Sequence, residues 1–91
     1  MVFGQNEMAR EPRVDRFVEK RLDKIPRDYA ERLREVIRSL ANDPYFGDIQ
    51  KMKGEGNAWR RRVGPYRVFY EIHDTFVYVY DLKRKTSTTY S

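Results

Sequence analysis

Apolar residues recur along the first half of the chain at spacings of three and four. From Arg13 onward they fall at Val14, Phe17, Val18, Leu22 and Ile25, which places them on one helical stripe. Pro26 closes that stripe and opens a second helix, because proline is tolerated at a first turn where no intrahelical donor is needed. Asp28 and Glu31 then sit near the positive end of the new helix. Tyr29, Leu33, Val36, Ile37 and Leu40 form its apolar stripe, and Glu31, Arg32, Arg34, Glu35 and Arg38 form a charged face of the kind that lies in solvent. Asn42-Asp43-Pro44 ends the helix, since a residue before proline avoids the helical region.

A connection runs from there to Gly56, after which the period changes from 3.6 to 2. Residues 59–63, 66–72 and 76–82 are rich in aromatic and β-branched side chains and are separated by Gly64-Pro65 and His73-Asp74. They predict an antiparallel meander of three strands. Residues 1–12 show no useful periodicity and are interrupted by Gly4 and Pro12, so they read as a loose arm or a degenerate first strand, with the domain proper over 13–91. The order of elements gives an α+β fold, a two-helix hairpin packed on one face of a small curved antiparallel sheet.

A chain of 91 residues holds one core and one domain. Charged residues make up 36% of it against a usual share of about 25%, so few apolar positions are to spare. Lys and Arg exceed Asp and Glu by 19 to 14, giving a net charge of +5 and a pI near 9.6, the balance of a partner for polyanions. No cysteine is present, which removes disulfides, thiolate nucleophiles and cysteine metal sites together. With His73 as the single histidine and no acidic run of calcium-loop spacing, no metal and no cofactor are expected. No apolar run is long enough to cross a bilayer and the first residues lack a secretory h-region, so the reading is cytoplasmic with no membrane partner.

The period of a strand decides which cations share a face. A two-residue Gly64-Pro65 turn sets Val63 opposite Tyr66, Arg62 opposite Arg67 and Arg60 opposite Phe69. Three arginines then share one face, while Trp59, Val63, Tyr66, Val68, Tyr70 and Ile72 line the other and Arg61 is a misfit among them. Like charges directly opposed across strands are destabilising, so the cluster calls for an anion unless Glu55, Glu71 or Asp81 neutralises it. Guanidinium groups grip phosphate oxygens bidentately and stack on bases.

The segment Lys51-Met52-Lys53-Gly54, followed by Trp59-Arg60-Arg61-Arg62-Val63-Gly64-Pro65-Tyr66-Arg67-Val68-Phe69-Tyr70-Glu71-Ile72, resembles the central hairpin of RelE-type toxins in the RelE/ParE superfamily, and Arg84 with the penultimate Tyr90 extends the likeness. The resemblance covers residues 13–90. It implies a type II toxin acting as a ribosome-dependent, metal-independent endoribonuclease, in which the 2′-hydroxyl of messenger RNA attacks the adjacent phosphate in the ribosomal A site. It also implies that Arg60, Arg62, Arg67, Arg84 and Tyr90 are the catalytic set, with Lys85 the alternative to Arg84. Lys51, Lys53, Lys83 and Lys85 become RNA contacts, and a cognate antitoxin, ribosomal RNA and messenger RNA the partners. The ParE side of the superfamily inhibits DNA gyrase without nucleolysis, and a degenerate homologue would only bind its antitoxin; both stand as alternatives. Studied relatives carry lysine where Arg60 and Arg62 stand. Because arginine stays protonated at any working pH, the three arginines stabilise charge and the general base stays unassigned. His73 lies in the turn at the far end of the second strand, an ordinary place for a polar residue.

Overall fold

Asp15 decides where strand gives way to helix. In the computed structural model, which describes residues 9–54 and 56–85, its backbone is extended at φ −61°, ψ 142° and its Oδ1 accepts from the Phe17 amide at 2.9 Å. That is an N-cap, and it ends β1 (Glu11–Val14) and starts α1 (Arg16–Asp23). Val14 therefore belongs to a strand, and Ile25 follows the helix instead of lying in it, although both continue the helical spacing. Val18 and Leu22 are buried beneath α1, whereas Phe17 is 49% exposed. The second Asp15 oxygen accepts from the Tyr78 hydroxyl at 2.7 Å, which ties the helix start to the sheet. Together these two bonds hold the Asp15 carboxyl below its ordinary value, the tyrosine contributing most.

Pro26 caps α2 (Arg27–Asn42), whose Ala30, Leu33, Ile37, Leu40 and Ala41 are buried. At its end Asp43 turns extended, φ −148°, as a residue before proline must. Then come β2 (Ile49–Lys51), β3 (Ala58–Val63), β4 (Tyr66–Ile72) and β5 (Phe76–Arg84). Neither helix is long and apolar enough to cross a membrane.

The sheet runs β1-β5-β4-β3-β2. Its three central strands form the antiparallel meander read from the sequence, with Ala58, Lys83 and Arg84 carrying the ends slightly further. Two edges are added. β1 pairs parallel with β5, Pro12 opposite Val77, and crosses the boundary drawn between residues 12 and 13. Glu11 and Asp15 donate their backbone N–H groups to the carbonyls of Thr75 and Val79, so the Pro12 nitrogen falls on the side turned away from the ladder, where an edge strand tolerates it. β2, three residues within what read as a connection, pairs with β3 and adds Ile49 to the rim of the core.

The helices cover one face of the sheet. Val18, Leu22, Leu33, Ile37 and Leu40 meet Val63, Tyr66, Val68, Tyr70, Val77, Val79 and Leu82 there. A bulge interrupts the β4–β5 pairing: Phe69 opposes Asp81, but Tyr70 opposes Val79. Val79 and Leu82 are both buried, so the two residues between them, Tyr80 and Asp81, project together from the opposite face.

Tyr70 is fully buried, and its hydroxyl donates to the Pro44 carbonyl at 2.7 Å, anchoring the loop over residues 43–48 to the sheet. Burial, partly offset by the nearby Arg61 cation, pushes its hydroxyl up to about 12. The folded state holds this proton while the unfolded chain loses it near pH 10, so stability is expected to fall between about pH 10 and 12. Tyr70→Phe should lessen that fall, leaving the share due to Tyr78, whose hydroxyl is also raised by its bond to Asp15, and cost about 1–3 kcal/mol at neutral pH by leaving the Pro44 carbonyl unpaired, as chemical denaturation at pH 7 and pH 11 would show.

Candidate active site

The turn between β3 and β4 sets the site. Gly64 takes φ +59° and Pro65 holds φ at about −65°, the pair required at the two central positions of a type II′ turn, which matches the twist of a tight hairpin. Val63 consequently opposes Tyr66, Arg62 opposes Arg67 and Arg60 opposes Phe69, the register read from the sequence. On the next strand Lys83 opposes Arg67 from the other side. Arg62, Arg67 and Lys83 thus form a row of cations across three strands, on the face that the helices leave open.

A carboxylate stands at each end of this row. Asp48, from the loop before β2, accepts from Arg62 Nε at 2.9 Å, and both side chains are more than half exposed. Asp81 lies 3.8 Å from the Lys83 ammonium, with its other oxygen accepting from the Leu82 amide at 2.8 Å. Arg60 donates to the Gln50 side chain, while its Nε is buried and meets no acceptor among the described residues. Arg67, at the centre of the row, has neither an ion pair nor a side-chain hydrogen bond among the described residues. Of the anticipated neutralising acids, Glu71 pairs with His73 at 2.9 Å, Asp81 meets Lys83 within the row, and Glu55 lies outside the described residues. The acid that meets an arginine is Asp48, which sequence reading passed over.

Arg61 sits on the helix-facing side as expected, but the loop covers it. Its Nη1 donates to the Phe46 carbonyl at 3.0 Å, and a side chain at Gly47, φ +96°, would overlap the guanidinium with its Cβ 2.5 Å from Cζ. Arg61 is therefore a brace that presents Asp48 at the open face.

The remaining residues read from the sequence divide between the two faces. Lys83 joins the row. Arg84 does not: it opposes Tyr66 and lies over that ring at 5.9 Å, on the helix side, in a 410 Å³ recess shared with Arg21, Lys24, Ile25 and Pro26. Lys85 is exposed and its backbone amide closes onto the Pro65 carbonyl at 2.7 Å. Lys51 and Lys53 are exposed on and just after β2, with Lys51 opposite Trp59 and so on the other face from Arg60. Tyr90 lies outside the described residues. His73 stacks on Phe76 at 4.4 Å, beyond the far end of β4 from Arg67.

The family described as ParE toxin of type II toxin-antitoxin system, parDE, matches residues 12–86, and the chain belongs to that family. Among solved structures it is similar to the archaeal RelE of a RelE-RelB complex from Pyrococcus horikoshii OT3, at 26% identity and a TM-score of 0.76, over 89% of this chain and 100% of that one. It also shares its fold with a chain of the toxin-antitoxin complex RelBE2 of Mycobacterium tuberculosis, at 20% identity, a TM-score of 0.74 and 86% and 93% coverage. The E. coli toxin RelE, solved as a mutant in the free state, matches at 19% identity, a TM-score of 0.71 and 90% and 88% coverage. No curated protein matches the sequence. The protein is a type II toxin of the RelE/ParE superfamily.

Proposed function

We propose that this toxin is an endoribonuclease that cuts messenger RNA in the ribosomal A site without a metal. The observation that carries the reading is the row Arg62–Arg67–Lys83, with Arg67 opposed by a cation on each side and left without a partner among the described residues. Directly opposed cations cost stability, and an RNA phosphate offsets that cost. In the reaction the 2′-oxygen gives up its proton and forms a bond to phosphorus, the bond to the 5′-oxygen breaks and that oxygen takes a proton from water, and a 2′,3′-cyclic phosphate and a 5′-hydroxyl result. Arg67, flanked by Arg62 and Lys83, stabilises the extra negative charge on the phosphorane-like transition state.

None of these cations can take the 2′-hydroxyl proton. Asp48 can. It is held at the end of the row by Arg62, and at 62% exposure it is open to substrate, whereas Asp81 is 25% exposed and already accepts a backbone amide. Asp48 is therefore the proton acceptor. Tyr90 stacks on a base near the scissile nucleotide, Lys83 and Lys85 hold neighbouring phosphates, and Lys51 and Lys53 dock the ribosomal RNA. The position of Arg84 on the helix side favours Lys83 as the basic residue of the last strand that meets substrate.

A cognate antitoxin is the protein partner, as the relatives solved with RelB have one. The match to the parDE family favours one second reading, inhibition of DNA gyrase without nucleolysis. Expression without antitoxin separates the two. The ribonuclease arrests growth and shortens translated messages within minutes, and Arg32→Ala, on the solvated face of α2, leaves that arrest unchanged. Intact messages beside inhibited supercoiling would establish the gyrase reading.

A further inference from the structure

The open face of the sheet does not end at the cation row. On a sheet with helices on one side, the other side is normally polar at alternate positions. Here β4 and β5 place Phe69, Tyr78, Tyr80 and Phe76 on it, each beside a buried core residue that fixes its direction. Three of the rings follow one another, Phe69 lying 6.3 Å from Tyr80 and Tyr80 6.4 Å from Tyr78, while Phe76, two residues further along β5, stacks with His73 at 4.4 Å. The bulge makes this sequence of rings continuous, because it turns Tyr80 to the same side as Asp81.

Cations bracket the rings. Lys83 lies 5.6 Å from the Phe69 centroid at the end nearest Arg67, and Arg13 lies 4.0 Å over Phe76 at the other. The carboxylates described around these rings are engaged: Asp81 by Lys83, Glu71 by His73, Glu11 by Arg13 at 3.3 Å, and Asp15 by the Tyr78 hydroxyl. That last bond also fixes the Tyr78 ring. From Lys83 to Phe76 the strand extends on the order of 20 Å at about 3.3 Å per residue.

The geometry points to a base-stacking track for single-stranded RNA, running from the cation row along β5 through Phe69 and Tyr78 and ending at Arg13. It rests on the ribonuclease reading and extends it: the row takes the scissile phosphate, and the rings take the bases of the nucleotides to one side. Rings with a cation at either end suit bases flanked by phosphates, and stacking accepts any base because every base has a π-face. The track therefore supplies affinity without sequence preference.

The test uses the full chain and a fluorescein-labelled 2′-O-methyl oligonucleotide of about 8 residues, which lacks the attacking hydroxyl and cannot be cut. Phe69→Leu and Tyr78→Leu should each weaken binding by about 10-fold or more in fluorescence anisotropy. Phe69→Trp and Tyr78→Phe, which keep the rings, should bind within about 3-fold of the parent. Phe17→Leu, which alters an exposed ring on the helical layer, should leave binding unchanged. The same oligonucleotide with abasic positions should bind the parent weakly and the leucine variants no worse, an outcome that a mere loss of folding would not give. Parent-like RNA affinity in both leucine variants overturns the track and leaves the face to a protein partner, as does an equal further loss on the abasic probe. Because the probe cannot be cleaved, failure here is distinct from failure of the ribonuclease reading: uncut messages with intact stacking would retain the track and remove the nuclease.

Discussion

Arg67→Ala is expected to lower single-turnover cleavage on saturated ribosomes by about 10²- to 10³-fold while leaving ribosome affinity nearly unchanged. Its position is the reason. Arg67 lies on the central strand of the meander, Arg62 and Lys83 oppose it from either side, and no described residue takes up its charge. A group made for docking would sit at the rim, where Lys53 and Lys85 are exposed. The substitution should not cost stability, because it relieves two like-charge pairs worth about 0.2–1 kcal/mol each and breaks no bond among the described residues. Unaltered or slightly raised thermal stability, with cleavage lost, distinguishes a charge-stabilising role from a structural one. Wild-type cleavage by a folded Arg67→Ala protein would remove the site.

Asp48→Asn is expected to lower the same single-turnover rate by about 10²- to 10⁴-fold, the span of a positioned acid–base group. Asp48 also holds Arg62, so loss of rate alone does not identify its role. The pH profile does. A proton acceptor must be ionised to act, so the parent rate falls on the acid side, and this limb should vanish in Asp48→Asn, leaving a low, flat rate. Asp48→Glu, which keeps the carboxylate, should recover part of the rate and the limb with it. If Asp48 only positions Arg62, the asparagine variant retains the limb at reduced amplitude, and another group takes the proton.

The sequence discloses some parts of this architecture and hides others for identifiable reasons. The β3–β4 register was legible because Gly64-Pro65 admits a two-residue turn and because alternation from Tyr66 to Ile72 leaves a single face apolar. That register brings Arg60, Arg62 and Arg67 to one face from the residues alone. β1 was hidden by its four residues and by Pro12, whose acceptability depends on lying at an edge with its nitrogen turned outward. β2 was hidden because three residues with one apolar member show no period at all. Val14 and Ile25 extended a helical spacing across the two caps, Asp15 and Lys24, where local chemistry overrides periodicity. In the site, the family resemblance put Arg84, or Lys85 in its stead, in the catalytic set with Arg67, and strand alternation beyond Leu82 turns Lys83 to the face that Arg67 occupies. Asp48 could not be read because its pairing with Arg62 depends on a loop path set by the Tyr70–Pro44 bond and by Gly47 lying against Arg61. The aromatic positions on β5 were visible as residues, but the bulge that aligns Tyr80 with them was not.

Cleavage of RNA in the decoding site by the cation row and Asp48 is tested most directly by primer extension. The message is bound to purified ribosomes with a defined codon in the A site, with and without this protein. The expected result is a new 5′ end within that codon, a 5′-hydroxyl on the downstream fragment and a 2′,3′-cyclic phosphate on the upstream one, all absent with Arg67→Ala. A message that stays full-length under conditions where the same preparation inhibits gyrase supercoiling would contradict the ribonuclease assignment.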